Sequence, residues 1–244
     1  MVEIERILAP NPGPMTLDGT NTYVLGGEVV VDPGPADRAH LDRLVALAPR
    51  LVLVTHHHPD HTEAVAELAE RTGAIVRGMD AAQCVGGAPL ADGEWIPVGD
   101  VELRILATPG HTADSMCVVV PGRAVLTGDT ILGRGTTVIM HPDGAVGPYL
   151  ASLDRLEELG DLEALPGHGE PLASVAEVAR AYRAHRHERL AQVREALASL
   201  GLTAADAQVG PVADVVYADV DDSVRPAAEA SLEAQLAYLR ETAE

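Results

Sequence analysis

Between Val2 and about Pro166 the apolar residues fall into short β-rich runs that Gly, Pro and Asp interrupt, and the run lengths set the elements. Strands are predicted at Val2 to Leu8, Asn21 to Leu25, Glu28 to Val31, Leu51 to Val54, Ala74 to Arg77, Val101 to Leu106, Met116 to Val120, Ala124 to Leu126 and Leu162 to Leu165. Several of these are continuously apolar rather than alternating, the pattern of strands covered on both faces. Helical stretches lie between them, notably Arg38 to Leu47, His61 to Arg71 before Gly73, and Tyr149 to Leu159 before Gly160. Strands and helices mixed in this order predict a layered α/β fold with the helices outside.

After Pro171 the pattern is helical only. Val175, Val178, Tyr182, Leu190, Val193, Leu197 and Leu200 recur mostly at three- and four-residue steps, one apolar stripe on a long helix that ends at Gly201. Thr203 is expected to cap a following helix, and Pro226 to Arg240 to form a last one. The chain therefore divides into a layered α/β unit over 1–172 and a small helical unit over 173–244.

Composition narrows the functional classes. The 244 residues suffice for one good-sized domain and a small second one. No apolar run approaches the roughly 20 residues that span a bilayer. The start, Met1-Val2-Glu3-Ile4-Glu5-Arg6, lacks the basic and apolar regions of a signal peptide. Cys84 and Cys117, the two cysteines, have no ligand-like spacing and read as reduced core thiols. A cytoplasmic location and no membrane partner are expected. The net charge of −20 argues against an extended polyanion-binding surface, and because all 17 basic residues are arginine, lysine chemistry is excluded.

Candidate chemistry is concentrated in Thr55-His56-His57-His58-Pro59-Asp60-His61, directly after an apolar strand. Imidazole nitrogen and carboxylate oxygen at this density are metal donors, and so crowded a cluster is costly to fold without a cation. His56 and His58 alternate along an extended segment, so both can face one ion while His57 points away; Pro59 stiffens the turn that presents Asp60 and His61. Three further islands follow predicted strands: Thr108-Pro109-Gly110-His111-Thr112, Thr127-Gly128-Asp129 and Leu165-Pro166-Gly167-His168-Gly169. Adding His111, Asp129 and His168 makes seven ligands, too many for one tetrahedral ion, so two metals bridged by one carboxylate are expected.

His56, His58, Asp60 and His61 match His-x-His-x-Asp-His, and in this the chain resembles the metallo-β-lactamase superfamily. The resemblance covers roughly residues 2 to 172 and implies a four-layer αββα sandwich. It implies that His56, His58 and His111 hold a first metal, that Asp60, His61 and His168 hold a second, and that Asp129 bridges them. Two Zn²⁺ are expected, with Fe or Mn as alternatives. An aspartate at 129, where antibiotic-degrading members place Cys, and an intact His58, where diiron flavoproteins carry Glu, favour hydrolysis other than of β-lactams. The segments Asn11 to Tyr23, Gly128 to Gly133 and His185-Arg186 resemble a lactamase-like group that includes a single-strand endoribonuclease, bacterial hydrolases and polyketide thioesterases. That group implies a winged-helix-like C-terminal appendage, here without the wing.

The resemblance implies a hydroxide shared by the metals as nucleophile, since two divalent cations lower the pKa of a common water from about 15.7 toward neutrality. Asp60 would orient it or carry its proton, as the catalytic residue. Asp32 is expected to bond a ligand from behind, Tyr149, Tyr23 and His141 to line the pocket, and His185 and Arg186 to dock the long helix on the catalytic unit. The substrate expected is an ester, thioester or amide of a small or carrier-linked metabolite. Single-stranded RNA is the alternative, with Arg180, Arg183, Arg186, Arg189 and Arg194 its one dense basic track, although Glu177, Glu188 and Glu195 interrupt them. Hydroxyacylglutathione is a further alternative, against which no basic, tyrosine-rich patch follows residue 172.

Overall fold

A computed structural model describes residues 2–99, 101–219 and 225–242. Among these, strands β1 (Ile4–Leu8), β2 (Asn21–Leu25), β3 (Val29–Val31), β4 (Leu51–Leu53) and β5 (Ile75–Arg77) form one sheet in chain order. A second sheet is ordered β10 (Glu163–Pro166), β9 (Ala124–Gly128), β8 (Met116–Val120), β7 (Val101–Ala107), β6 (Trp95–Val98). Parallel pairs occur where a helix returns the chain, at β3 with β4, β4 with β5 and β9 with β10; directly linked strands pair antiparallel.

Two-residue alternation then builds the layers. Tyr23 and Leu25, Val29 and Val31, and Leu53 face Leu103, Ile105, Met116, Val118 and Leu126 across the space between the sheets. Their neighbours Val24, Val30 and Val52 point the other way, onto α1 (Arg38–Ala46) and α3 (Val65–Thr72). On the far side, Cys117, Val119 and Val125 pack under α4 (Val146–Glu157) and α5 (Val175–Leu200). The result is α/β/β/α. The last helices, α6 (Val209–Val216) and α7 (Arg225–Glu241), join the same apolar cluster through Val212, Leu232 and Leu236, so residues after 172 share a core with the second sheet.

Four local expectations are corrected. Strand β6 escaped the pattern because Trp95 and Pro97 face outward; it is an edge strand, where a proline removes no ladder bond. The helix expected over His61 to Arg71 is broken into α2 (Pro59–Thr62) and α3, because Gly34 intervenes, donating to His61 O at 3.1 Å and accepting from Ala64 N at 3.1 Å. Thr203 does not cap a helix; its hydroxyl closes a turn on Asp206 at 2.7 Å, and α6 starts at Val209 after Gln208. Cys84 is half-buried beside Gly78 rather than in a core, whereas Cys117 is fully buried.

Candidate metal centre

The side chains that carry chemistry gather at one end of the sandwich, where the chain leaves β3, β4, β7, β9 and β10. Beyond β4 the extended chain carries His56 and His58. Pro59 then opens α2 at its first position, where a missing N–H leaves no bond unmade, and this single turn presents Asp60 and His61. Loops after β7 and β10 bring His111 and His168, and Asp129 directly follows β9.

Their donor atoms converge. His56 Nε2 and His111 Nε2 each lie 3.0 Å from His58 Nδ1. His168 Nε2 lies 3.2 Å from His61 Nε2 and 3.0 Å from Asp60 Oδ2. Asp129 reaches both groups, with Oδ1 3.5 Å from His61 Nε2 and Oδ2 at 3.4 Å from His168 Nε2 and 3.8 Å from His111 Nε2. Two triads result, His56 with His58 and His111, and Asp60 with His61 and His168, with Asp129 placed between them.

The backs of the rings explain why these donors suit cations. His61 Nδ1 donates to Asp32 Oδ2 at 2.9 Å, His111 Nδ1 to Val138 O at 2.8 Å, His168 Nδ1 to Gly19 O at 3.1 Å, and His56 Nδ1 to Thr55 Oγ1 at 3.1 Å. A neutral imidazole that donates from Nδ1 presents a bare lone pair at Nε2. Lone pairs facing each other near 3 Å repel unless a proton or a cation lies between them. Asp129 Oδ1 is also buried without a hydrogen-bond partner, an uncompensated oxygen that a cation would satisfy. Nitrogen and oxygen donors without thiolate fit zinc, iron or manganese.

Asp32 is the anchor behind the cluster. Its carboxylate accepts from Thr55 N at 2.8 Å, Thr55 Oγ1 at 2.7 Å and His61 Nδ1 at 2.9 Å. It does so from a left-handed backbone, φ 53°, a conformation uncommon for a non-glycine residue although aspartate adopts it more readily than most. Asp32→Asn would turn an amide N–H toward one of three donors, and cation affinity should fall by roughly 10–100-fold. Chelator competition on the purified variant measures this, and unchanged affinity would contradict the role.

Protonation differs between the triads. Burial first, then the neighbouring imidazoles, push His56 well below its ordinary value and His58 down to about 4. Burial also opposes charge on His61 and His168, but Asp129 with Asp32, and Asp129 with Asp60, outweigh it; His61 is held well above its usual value and His168 is raised to about 9. Burial would raise Asp129, yet His61 and His168 hold it well below the carboxylate range. At pH 7 the cation-free protein therefore carries the extra, charging protons in the second triad, while His56 and His58 are neutral imidazoles. Zinc binding should release protons mainly from the second triad, and occupancy there should weaken more steeply with acid. Calorimetric titration in buffers of differing ionisation enthalpy checks this; heats that do not depend on the buffer would contradict it.

The other expected residues lie elsewhere. Tyr23, 3% exposed, sits between the sheets with its hydroxyl donating to Pro166 O at 3.0 Å. Tyr149, fully buried beneath Gly110, donates to Thr130 O at 2.6 Å. Neither lines an open pocket, because each ring fills a core and each hydroxyl is spent on a carbonyl. His141 is exposed, and His57 points away from the triads toward Asp114 Oδ1 at 2.9 Å. Thr55, Thr137 and the Val138 and Gly19 carbonyls were not singled out from the sequence; backbone acceptors leave no sequence signal, and threonines near strand ends are too common to mark one.

Comparison with known proteins agrees with this architecture. Residues 15–168 match the model of the Metallo-beta-lactamase superfamily, a span that closes on His168. A Beta-lactamase-like protein 2 homolog of Caenorhabditis elegans is 32% identical over 92% of this chain and 80% of its own length. The Atrochrysone carboxyl ACP thioesterase of Aspergillus fumigatus is 34% identical over 81% of this chain and 65% of its own. The crystal structure of a metallo-beta-lactamase family protein from Thermus thermophilus superposes with a TM-score of 0.77 at 25% identity, covering 98% of this chain and 93% of that one. The chain spans only 54% to 66% of the length of the fungal lactamase-like relatives it matches. With the second sheet, four strands of the first, the histidine motif and all seven converging donors within the matched span, the chain belongs to the metallo-β-lactamase superfamily.

Proposed function

We propose that this chain is a dinuclear-zinc hydrolase that cleaves an ester, thioester or amide bond of a small or carrier-linked metabolite in the cytoplasm. The observation that carries the reading is the position of Asp129 between two donor triads free of thiolate. Divalent cations held there would supply Lewis acidity and make water acidic enough to attack near neutral pH. The chain's own groups do the rest. His56, His58 and His111 hold one ion and Asp60, His61 and His168 the other, with Asp32 and the Gly19 and Val138 carbonyls fixing ring orientation. Asp60 is the more open of the two carboxylates, its side chain 28% exposed against 11% for Asp129, which supports the reading that it would take a proton from water and pass it to the leaving group.

Carrier-linked acyl thioesters stand first among substrates because a relative 34% identical bears the name of an acyl carrier protein thioesterase. The RNA reading loses its basic track: Arg183 pairs with Asp154 and Glu157, Arg180 lies 3.5 Å from Glu157, and Arg186 is buried. No helix among the described residues is long and apolar enough to cross a membrane. Metal analysis followed by a panel of thioester, lactone, β-lactam and single-stranded RNA substrates tests the proposal. Metal-dependent acyl hydrolysis is expected; RNA cleavage without acyl hydrolysis would overturn it.

A further inference from the structure

A recess of about 310 Å³ opens between the loop after β1, the segment around Thr137, and helices α5 and α7. One wall is shared with the metal centre: Thr137 Oγ1 donates to Asp129 O at 2.7 Å, and Val138 O accepts from His111 Nδ1 at 2.8 Å. The opposite wall carries Arg186, Arg189 and Gln235.

Three features mark it as built for a ligand. Arg186 is 6% exposed; it donates to Thr137 O and lies 5.3 Å from the centre of the Tyr149 ring, which accounts for its role in docking α5, yet its Nε has no partner. Gln235 is 3% exposed; its amide nitrogen donates to Ser231 O at 3.0 Å, and its Oε1 has no partner. A buried donor and a buried acceptor left unmade in the walls of one recess are costly, and small rotations of these two side chains would bring both to a ligand bearing an acceptor beside a donor. Arg189 adds a second guanidinium, held 5.8 Å from the Tyr217 ring and bonded to Gln192 Oε1 at 2.8 Å. In a chain of net charge −20, none of the described residues lining this recess is acidic.

We propose that the recess binds an anionic group, a carboxylate or a phosphate, of the same substrate molecule whose bond is cut at the neighbouring metal centre. Arg186 and Arg189 take the anionic oxygens, and Gln235 Oε1 accepts from an adjacent hydroxyl or N–H. The inference rests on the hydrolase reading for the position of the scissile bond. Guanidinium pairs suit this task because their N–H donors match carboxylate and phosphate oxygens in geometry as well as charge.

The test compares KM for a neutral thioester with KM for carboxylate-bearing and phosphate-bearing analogues of the same leaving group, using the metal-loaded enzyme. One anionic analogue should have a KM roughly tenfold lower than the neutral compound, and which one identifies the group. Arg189→Gln, at a half-buried position, should bring that ratio close to one; Arg186→Gln is the second variant. A loss of structure lowers activity on all three compounds alike and leaves the ratio unmoved. A ratio near one in the unmodified enzyme, or a ratio that survives both substitutions, overturns the proposal. If no thioester or ester is turned over at all, the hydrolase reading fails separately, and calorimetric binding of succinate and inorganic phosphate decides the recess. Binding weakened by Arg189→Gln then sustains it, and binding equal in both proteins, or absent from both, refutes it.

Discussion

Replacing His111 or Asp60 by alanine should lower hydrolysis by about three orders of magnitude or more, since several kcal/mol of transition-state stabilisation depends on the cation each helps to hold. The two variants should fail for different reasons. His111 supplies one of the nitrogens packed around His58 Nδ1, at 3.0 Å, and its ring is fixed by Val138 O, so its removal opens the first triad. Asp60 sits 3.0 Å from His168 Nε2, and its loss takes from the second triad both a donor and the group proposed to move a proton. Asp60→Asn separates those contributions: it keeps a coordinating oxygen but cannot accept the proton, so metal content should recover more than activity does. Elemental analysis and turnover measured together on each protein read this out. Full activity in either alanine variant would defeat the assignment.

Gly167→Ala should empty the second triad while leaving the sandwich folded. A Cβ there would stand 2.6 Å from Asp129 Oδ1 and 2.7 Å from His61 Cε1, closer than atoms pack. The His61 ring has no room to yield. His61 is fully buried and held by Asp32, and Gly167 is itself pinned, donating to Gly128 O at 2.8 Å and accepting from Asn21 N at 2.7 Å. The strain therefore passes into the Asp129 carboxylate and a ring of the second triad, and overpacking of this kind typically costs about 1–3 kcal/mol, within what a folded domain tolerates. Bound metal should drop from two equivalents toward one, with turnover lost and a cooperative thermal transition retained. Two equivalents bound with normal affinity would show that the second site does not depend on this close approach.

The layered architecture and the converging histidine and aspartate cluster were legible for the same reason: each depends on residue type at short range. Continuous apolar runs such as Val29-Val30-Val31 mark strands covered on both sides, and they are. Four imidazoles and a carboxylate within six positions have no ordinary structural explanation, so the cluster stands out unaided. What stayed hidden depends on contacts distant in sequence. The break after α2 is made by Gly34, well upstream in the chain, and β6 conceals itself with an outward Pro97 that only an edge position permits. Tyr23 and Tyr149 read as pocket residues because a tyrosine near a motif is ambiguous until its burial is known. The recess formed by Arg186, Arg189 and Gln235 could not be read at all, since its walls come from two helices and two loop segments that meet only in the folded chain.

The central claim is that seven side chains from four separated stretches hold two cations. Titration of chelator-stripped protein with Zn²⁺, with bound metal counted by elemental analysis after removal of excess, tests it most directly. The account predicts saturation at two equivalents per chain and recovery of hydrolysis along with the bound metal; a folded protein that retains none, or that hydrolyses its substrate equally well without it, would contradict it.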